Sequence, residues 1–248
     1  MSGITPQNTS FLLAHGAWHA PKHYIQLTNG LEKAGYTVIA PQLPTVGCEG
    51  EAFDDDVEIL RSGIKEIVKS GKDVAIIMHS YGGVAGSEAA KGFVKGEDNN
   101  KNGVVKLIYM CAFALAANTS LNDRLGDGPP LDWIHPTESG KAAICERNDE
   151  IFYNDIDDDA WKKQVSSELK PHALDSFSRN VTWEPYRTIS SAYLLCEKDM
   201  AIPAVAQEAM IKDAGITQVV RLNASHSPWV SRTDETVQAA LNAVAGKL

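Results

Sequence analysis

The chain is short of basic charge. Against 32 Asp and Glu it carries 23 Lys and Arg, a formal net charge of -9 over 248 residues. Nucleic acid and anionic membranes are bound through a basic face, so neither is expected as a partner. Long hydrophobic runs are missing too, and no stretch approaches the about 20 apolar residues of a spanning helix. The N-terminal segment lacks a basic n-region, and the apolar Phe11 to Ala14 that follows is too short for a signal-peptide core, which points to a cytoplasmic protein. Cysteine is sparse: Cys48, Cys111, Cys145 and Cys196 are scattered, with no Cys-x-x-Cys pair and no histidine at metal spacing. Structural zinc is therefore not expected, and reduced thiols buried as small apolar groups are. There is also no internal repeat and no low-complexity linker.

What is present is an alternation. Short apolar runs at Ser10 to His15, Thr37 to Ala40, Asp73 to His79, Val104 to Ala112, Ser191 to Cys196 and Gln218 to Leu222 read as buried parallel strands. Between and after them lie helical patterns: Tyr24 to Ala34, Phe53 to Val68, Gly82 to about Lys95, Pro203 to Ala214 and Asp234 to about Ala245. Such an order implies right-handed crossovers and an α/β fold, a mostly parallel sheet with helices on both faces. The chain is long enough to bury this core as one domain, residues 1–248. From about 116 to 188 the alternation breaks into an insertion rich in proline, glycine, aspartate and aromatics, with helices expected around Ala160 to Leu169 and His172 to Arg179. Its aromatics, Trp133 among them, suit either the core of a lid or the wall of an apolar pocket. The acidic runs Asp54 to Asp56 and Asp155 to Asp159 read as solvated turns and helix starts.

The stretch Asp73-Val-Ala-Ile-Ile-Met-His-Ser-Tyr-Gly-Gly83 carries the chemistry. A β-branched strand meets a turn so tight that two glycines follow, and a serine at such a corner has its hydroxyl lifted above the sheet. The pattern departs from Gly-x-Ser-x-Gly because Met78 stands at the first glycine. Ligands of an open parallel sheet sit beyond the carboxyl ends of its strands. Ser80, Asp199 and His226 all fall there, in the chain order Ser, Asp, His. Serine needs a base to attack at neutral pH; His226 supplies one, and Asp199 fixes its tautomer. Glu197 is the weaker choice of acid, being nearer the strand and expected to point into the packing. The backbone amides of Ala17 and Tyr81 are candidate oxyanion donors. His15, His19 and His23 recur every fourth residue, but Gly16 and Pro21 interrupt them and no Glu completes His-Glu-x-x-His, so structural roles and no metal are expected. His79 is expected to be held in packing by the elbow.

Four pieces together, Phe11-Leu-Leu-Ala-His-Gly-Ala-Trp-His19, Met78-His-Ser-Tyr-Gly-Gly83, Cys196-Glu-Lys-Asp-Met-Ala-Ile-Pro203 and Ser225-His-Ser-Pro-Trp229, resemble the α/β-hydrolases. The likeness is to the small branch that includes plant methyl esterases, hydroxynitrile lyases and related microbial hydrolases. It implies a sheet lacking the two leading antiparallel strands of larger members and an inserted, mainly helical cap after the strand ending near Ala112. It also implies hydrolysis of a carboxylic ester, or of a lactone or thioester, of a mostly apolar small molecule through an acyl-enzyme without a cofactor. Trp18 and Trp133 are expected at the substrate. A receptor-like member with little turnover, or a carbon-carbon lyase using the same triad, is the alternative. Ser227 stands where the hydroxynitrile lyases of this branch carry lysine, which disfavours cyanohydrin cleavage. The residues fix no oligomeric state; a homodimer is compatible with them.

Overall fold

A computed structural model describes residues 3–97, 100–126 and 131–248. Parts of the expected polar loop 96–103 and of the insertion 116–188 lie outside these residues. Among the described residues the main sheet has six strands in the order β2-β1-β3-β4-β8-β9, all paired in parallel. They are β1 (Thr9–Ala14), β2 (Val38–Ile39), β3 (Asp73–His79), β4 (Val104–Met110), β8 (Ser191–Cys196) and β9 (Gln218–Leu222). The second expected strand shrinks to two residues, Val38 and Ile39, which pair with Phe11 and Leu12 at one edge of the sheet.

Alternation along the strands sends successive side chains to opposite faces. Leu12, Ala14, Ile76 and Met78 enter one core with Val57, Leu60 and Ile64 of α2 (Phe53–Lys69), α3 (Gly82–Ala89) and α8 (Ala204–Ala214). Phe11, Leu13, Ala75 and Ile77 enter the other with Leu27 and Leu31 of α1 (Ile25–Lys33) and Ala239 and Ala243 of α10 (Thr233–Ala245). Both faces are thus covered, as a parallel sheet requires. From β1 the chain runs outward to β2 and returns on the other side to β3, so the order in which strands are added reverses between β1 and β3. That crevice is where ligands of such sheets bind.

Between β4 and β8 the described residues build four short α-helices, α4 (Leu121–Leu125), α5 (Asn148–Phe152), α6 (Asp159–Ser166) and α7 (Asp175–Ser178). It also builds a small antiparallel sheet absent from the sequence-based expectation, β5 (Ile134–Pro136), β6 (Ala142–Cys145) and β7 (His172–Ala173). The helix expected at His172 begins instead as β7, where Ala142 and Ala143 pair with Ala173 and His172. Three-residue strands carry too little alternation to register as a period. Among the described residues, no helix is long and apolar enough to cross a membrane.

Candidate active site

Ser80 sits between β3 and α3 with φ +52°, a conformation that side chains rarely adopt and that marks a strained corner. The corner closes only because glycines flank it. A Cβ on Gly82 would fall on the carbonyl oxygen of Ala14 at the end of β1, with His15 O at 2.8 Å, and one on Gly83 would fall on the backbone of Phe113. The missing first glycine is compensated one turn along the helix. Met78 lies against Gly86, where a Cβ would meet its Cγ and Sδ at 2.8 Å.

Asp199 and His226 are in contact. His226 Nδ1 lies 2.7 Å from Asp199 Oδ2, both residues being buried. Asp199 is itself held: Oδ1 accepts from the amides of Ala201 and Ile202 at 2.8 Å each, and Oδ2 accepts from Gln207 Nε2 at 3.2 Å. These bonds aim the carboxylate at imidazole Nδ1, an arrangement that favours a proton on Nδ1 and leaves Nε2 free to accept. Ser80 and His226 line one cavity, yet neither the Ser80 hydroxyl nor His226 Nε2 has a hydrogen-bond partner among the described residues. Such bonds commonly tighten only with substrate bound. Glu197 is not packed inside: it is surface-exposed and lies 3.7 Å from Arg221. At the residue just after the strand, the side chain has already turned outward.

Ala17 and Tyr81 line the same cavity, and neither of their amides donates to another described residue. Trp18 and Trp133 form part of its wall, their ring centroids 5.7 Å apart. Trp18 is anchored by its indole N–H, which donates to Ala143 O at 2.9 Å, and Phe113, Phe152 and Phe177 add to the aromatic lining. The space measures about 390 Å³ including its open mouth. Among the described residues its wall carries no Lys, Arg, Asp or Glu.

Three supporting residues escaped sequence reasoning. Tyr24 accepts from the Gly16 amide at 2.9 Å and meets His79 Nδ1 at 2.6 Å, while His79 Nε2 reaches the carbonyl oxygen of His226 at 2.9 Å. His79 therefore does more than pack: it joins the loop after β1 to the loop after β9. Burial, reinforced by neighbouring His226, holds its imidazole well below the usual histidine range, so it bridges as a neutral ring. Asp56 belongs to no solvated helix start; it is fully buried and accepts from Tyr81 Oη and Thr45 Oγ1 at 2.6 Å each. Burial raises its pKa, opposed by those same hydrogen bonds. Gln207 had a signal that could have been used, a polar residue on the face of α8 that buries Met210 and Ala214. His15 and His19 are buried and committed to protein partners, Leu43 N to His15 Nε2 and Tyr153 Oη to His19 Nε2.

The profile of the Alpha/beta hydrolase family matches residues 11–239, and the chain belongs to that family. It is similar to the alpha/beta hydrolase nvfD of Aspergillus novofumigatus, 30% identical over 94% of this chain and 96% of the relative. It is also similar to methyl jasmonate esterase 1 of Vitis vinifera, 25% identical over 90% of this chain and 91% of that one. A solved structure of a pyrethroid hydrolase shares the fold with TM-score 0.77 at 24% identity, covering 96% of this chain and 98% of that chain. The branch is thus the one that resembles the plant methylesterases, and the enzyme class is carboxylic ester hydrolase of the α/β-hydrolase type.

Proposed function

We propose that the protein hydrolyses a small, uncharged, mostly apolar carboxylic ester through an acyl-enzyme. The observation that carries this is His226 backed by Asp199 at 2.7 Å while the same imidazole and Ser80 line one apolar cavity. His226 Nε2 takes the Ser80 proton as Oγ bonds to the ester carbonyl carbon. The oxygen that becomes negative is met by the amides of Ala17 and Tyr81, a contribution worth roughly 10²- to 10³-fold per donor. Collapse of that intermediate expels the alkoxide, which leaves with the proton from His226. Water, deprotonated by the same nitrogen, then releases the acid and restores Ser80. The segment 116–188 serves as a cap whose Trp133, Phe152 and Phe177, facing Trp18, exclude water and shape the substrate. An uncharged wall favours neutral esters, consistent with relatives named for methyl jasmonate and pyrethroids.

The test is turnover of neutral p-nitrophenyl acetate and butyrate by wild type, Ser80→Ala and His226→Ala. Both variants should fall by at least about 10³-fold, and wild type mixed with excess ester should show a burst of one nitrophenol per Ser80. Equal rates in all three proteins would remove the hydrolytic reading. Slow wild-type turnover with tight retention of the ester would favour a receptor.

A further inference from the structure

Four consecutive residues, Phe152-Tyr153-Asn154-Asp155, reach three of the four loops that carry the proposed machinery, those after β1, β8 and β9. The Phe152 carbonyl accepts from the Ser225 hydroxyl at 3.0 Å, and its ring lies 5.3 Å from the imidazole of His226. Tyr153 Oη meets His19 Nε2 at 3.0 Å in the loop after β1. Asn154 Nδ2 donates to the carbonyl of Lys198 at 3.0 Å, one residue before Asp199. Asp155 Oδ2 accepts from the Ser225 amide at 2.9 Å, one residue before His226, and from the Ser231 hydroxyl at 2.6 Å.

From this we infer that residues 152–155 are a strap setting the acid and the base in register, with Asp155 as its main positioning residue. The inference rests on the hydrolase reading above. Ser225 commits both its amide and its hydroxyl to the strap, so the backbone entering His226 is fixed from that side. The carbonyl leaving His226 is fixed from the other by His79, and the ring by Asp199. A carboxylate holds an amide and a hydroxyl about twice as strongly as a neutral acceptor does. Its second oxygen, Asp155 Oδ1, is buried with no partner among the described residues. Leaving a buried acceptor unmatched costs about 1–3 kcal/mol. A stitch serving stability alone would be better made with a neutral side chain. The strap also belongs to the segment that walls the cavity, so the shape of the wall and the aim of His226 are set by the same backbone.

The experiment measures kcat and KM for a neutral p-nitrophenyl ester with the full chain as wild type, Ser80→Ala, Asp155→Ala, Asp155→Asn and Asn154→Ala, each melted to confirm folding. Misplacing a base by about 1 Å costs up to about 10²-fold. Asp155→Ala should therefore lose about 10- to 100-fold in kcat with KM within about twofold, because neither Asn154 nor Asp155 lines the cavity. Asp155→Asn keeps an oxygen for both donors and should recover most of the loss. Asn154→Ala should lose about threefold in kcat, again at constant KM. Wild-type kcat in Asp155→Ala, or an Asn variant no better than the Ala one, overturns the strap. If Asp155→Ala does not fold, Asn154→Ala decides: wild-type kcat there overturns the strap, a selective fall supports it. Turnover that survives in Ser80→Ala defeats the hydrolase reading and the strap together; Ser80-dependent turnover indifferent to the strap variants defeats the strap alone.

Discussion

Removing a single oxygen tests how the loops around Ser80 are held. Tyr24 is fully buried, and its ring stacks on Trp229 with centroids 4.2 Å apart. Tyr24→Phe keeps that stack and deletes only the hydroxyl, which now serves the Gly16 amide at 2.9 Å and His79 Nδ1 at 2.6 Å. Two buried groups lose their partner at once, at about 1–3 kcal/mol each, so the native state should weaken by about 2–6 kcal/mol. With a urea slope near 3 kcal/mol/M the midpoint should fall by about 0.7–2 M. The sign is secure because no space opens for a water where the phenol oxygen stood beyond the volume of that one atom. Urea titration followed by tryptophan fluorescence, with equal slopes required of both proteins, measures it. A midpoint within about 0.2 M of wild type would refute the hydrogen-bonded chain from Gly16 through Tyr24 to His79.

Gly82→Ala places a methyl on the Ala14 carbonyl oxygen, backbone that cannot swing aside, and should abolish either folding or at least about 99% of ester turnover; soluble expression with wild-type kcat would show that the elbow is looser than drawn. Acid should destabilise the fold. Burial lowers His15 from 6.5 to about 4 and His172 from 6.5 to about 3, so the unfolded chain binds protons that the folded one refuses. The stabilisation from these neutral rings is complete above pH 6.5, is lost progressively as pH falls below 6.5, and is fully lost below about 4 for His15 and about 3 for His172. Between pH 7 and pH 5 each should cost about 2 kcal/mol, read as a lower urea midpoint; a midpoint that rises on acidification would contradict their burial as neutral rings.

How much of this was legible depended on whether a residue's neighbours in space were also signalled along the chain. The strands, the elbow and the order Ser80, Asp199, His226 follow from apolar runs that stop at fixed landmarks, and each landmark is local. The supporting layer is not local. Asp56 and Asp155 lie in runs of acid that look solvated, and only the fold reveals that one member of each run turns inward, toward Tyr81 and Ser225. On α2 the one local signal is spacing, since Asp56 stands three residues after Phe53 and four before Leu60 on the buried stripe, but its partner Tyr81 is 25 positions away. The small sheet of β5, β6 and β7 escaped for the complementary reason: its strands are two to four residues long, and its stability comes from pairing, not from any single strand.

The contact between Met78 and Gly86 has a further consequence. The two positions behave as one coupled unit across eight residues: a sibling sequence with glycine at 78 vacates the room that forbids a side chain at 86, so substitutions at the two sites should travel together. A protein engineer who restores the missing glycine without enlarging residue 86 would leave a hole under the helix that follows Ser80.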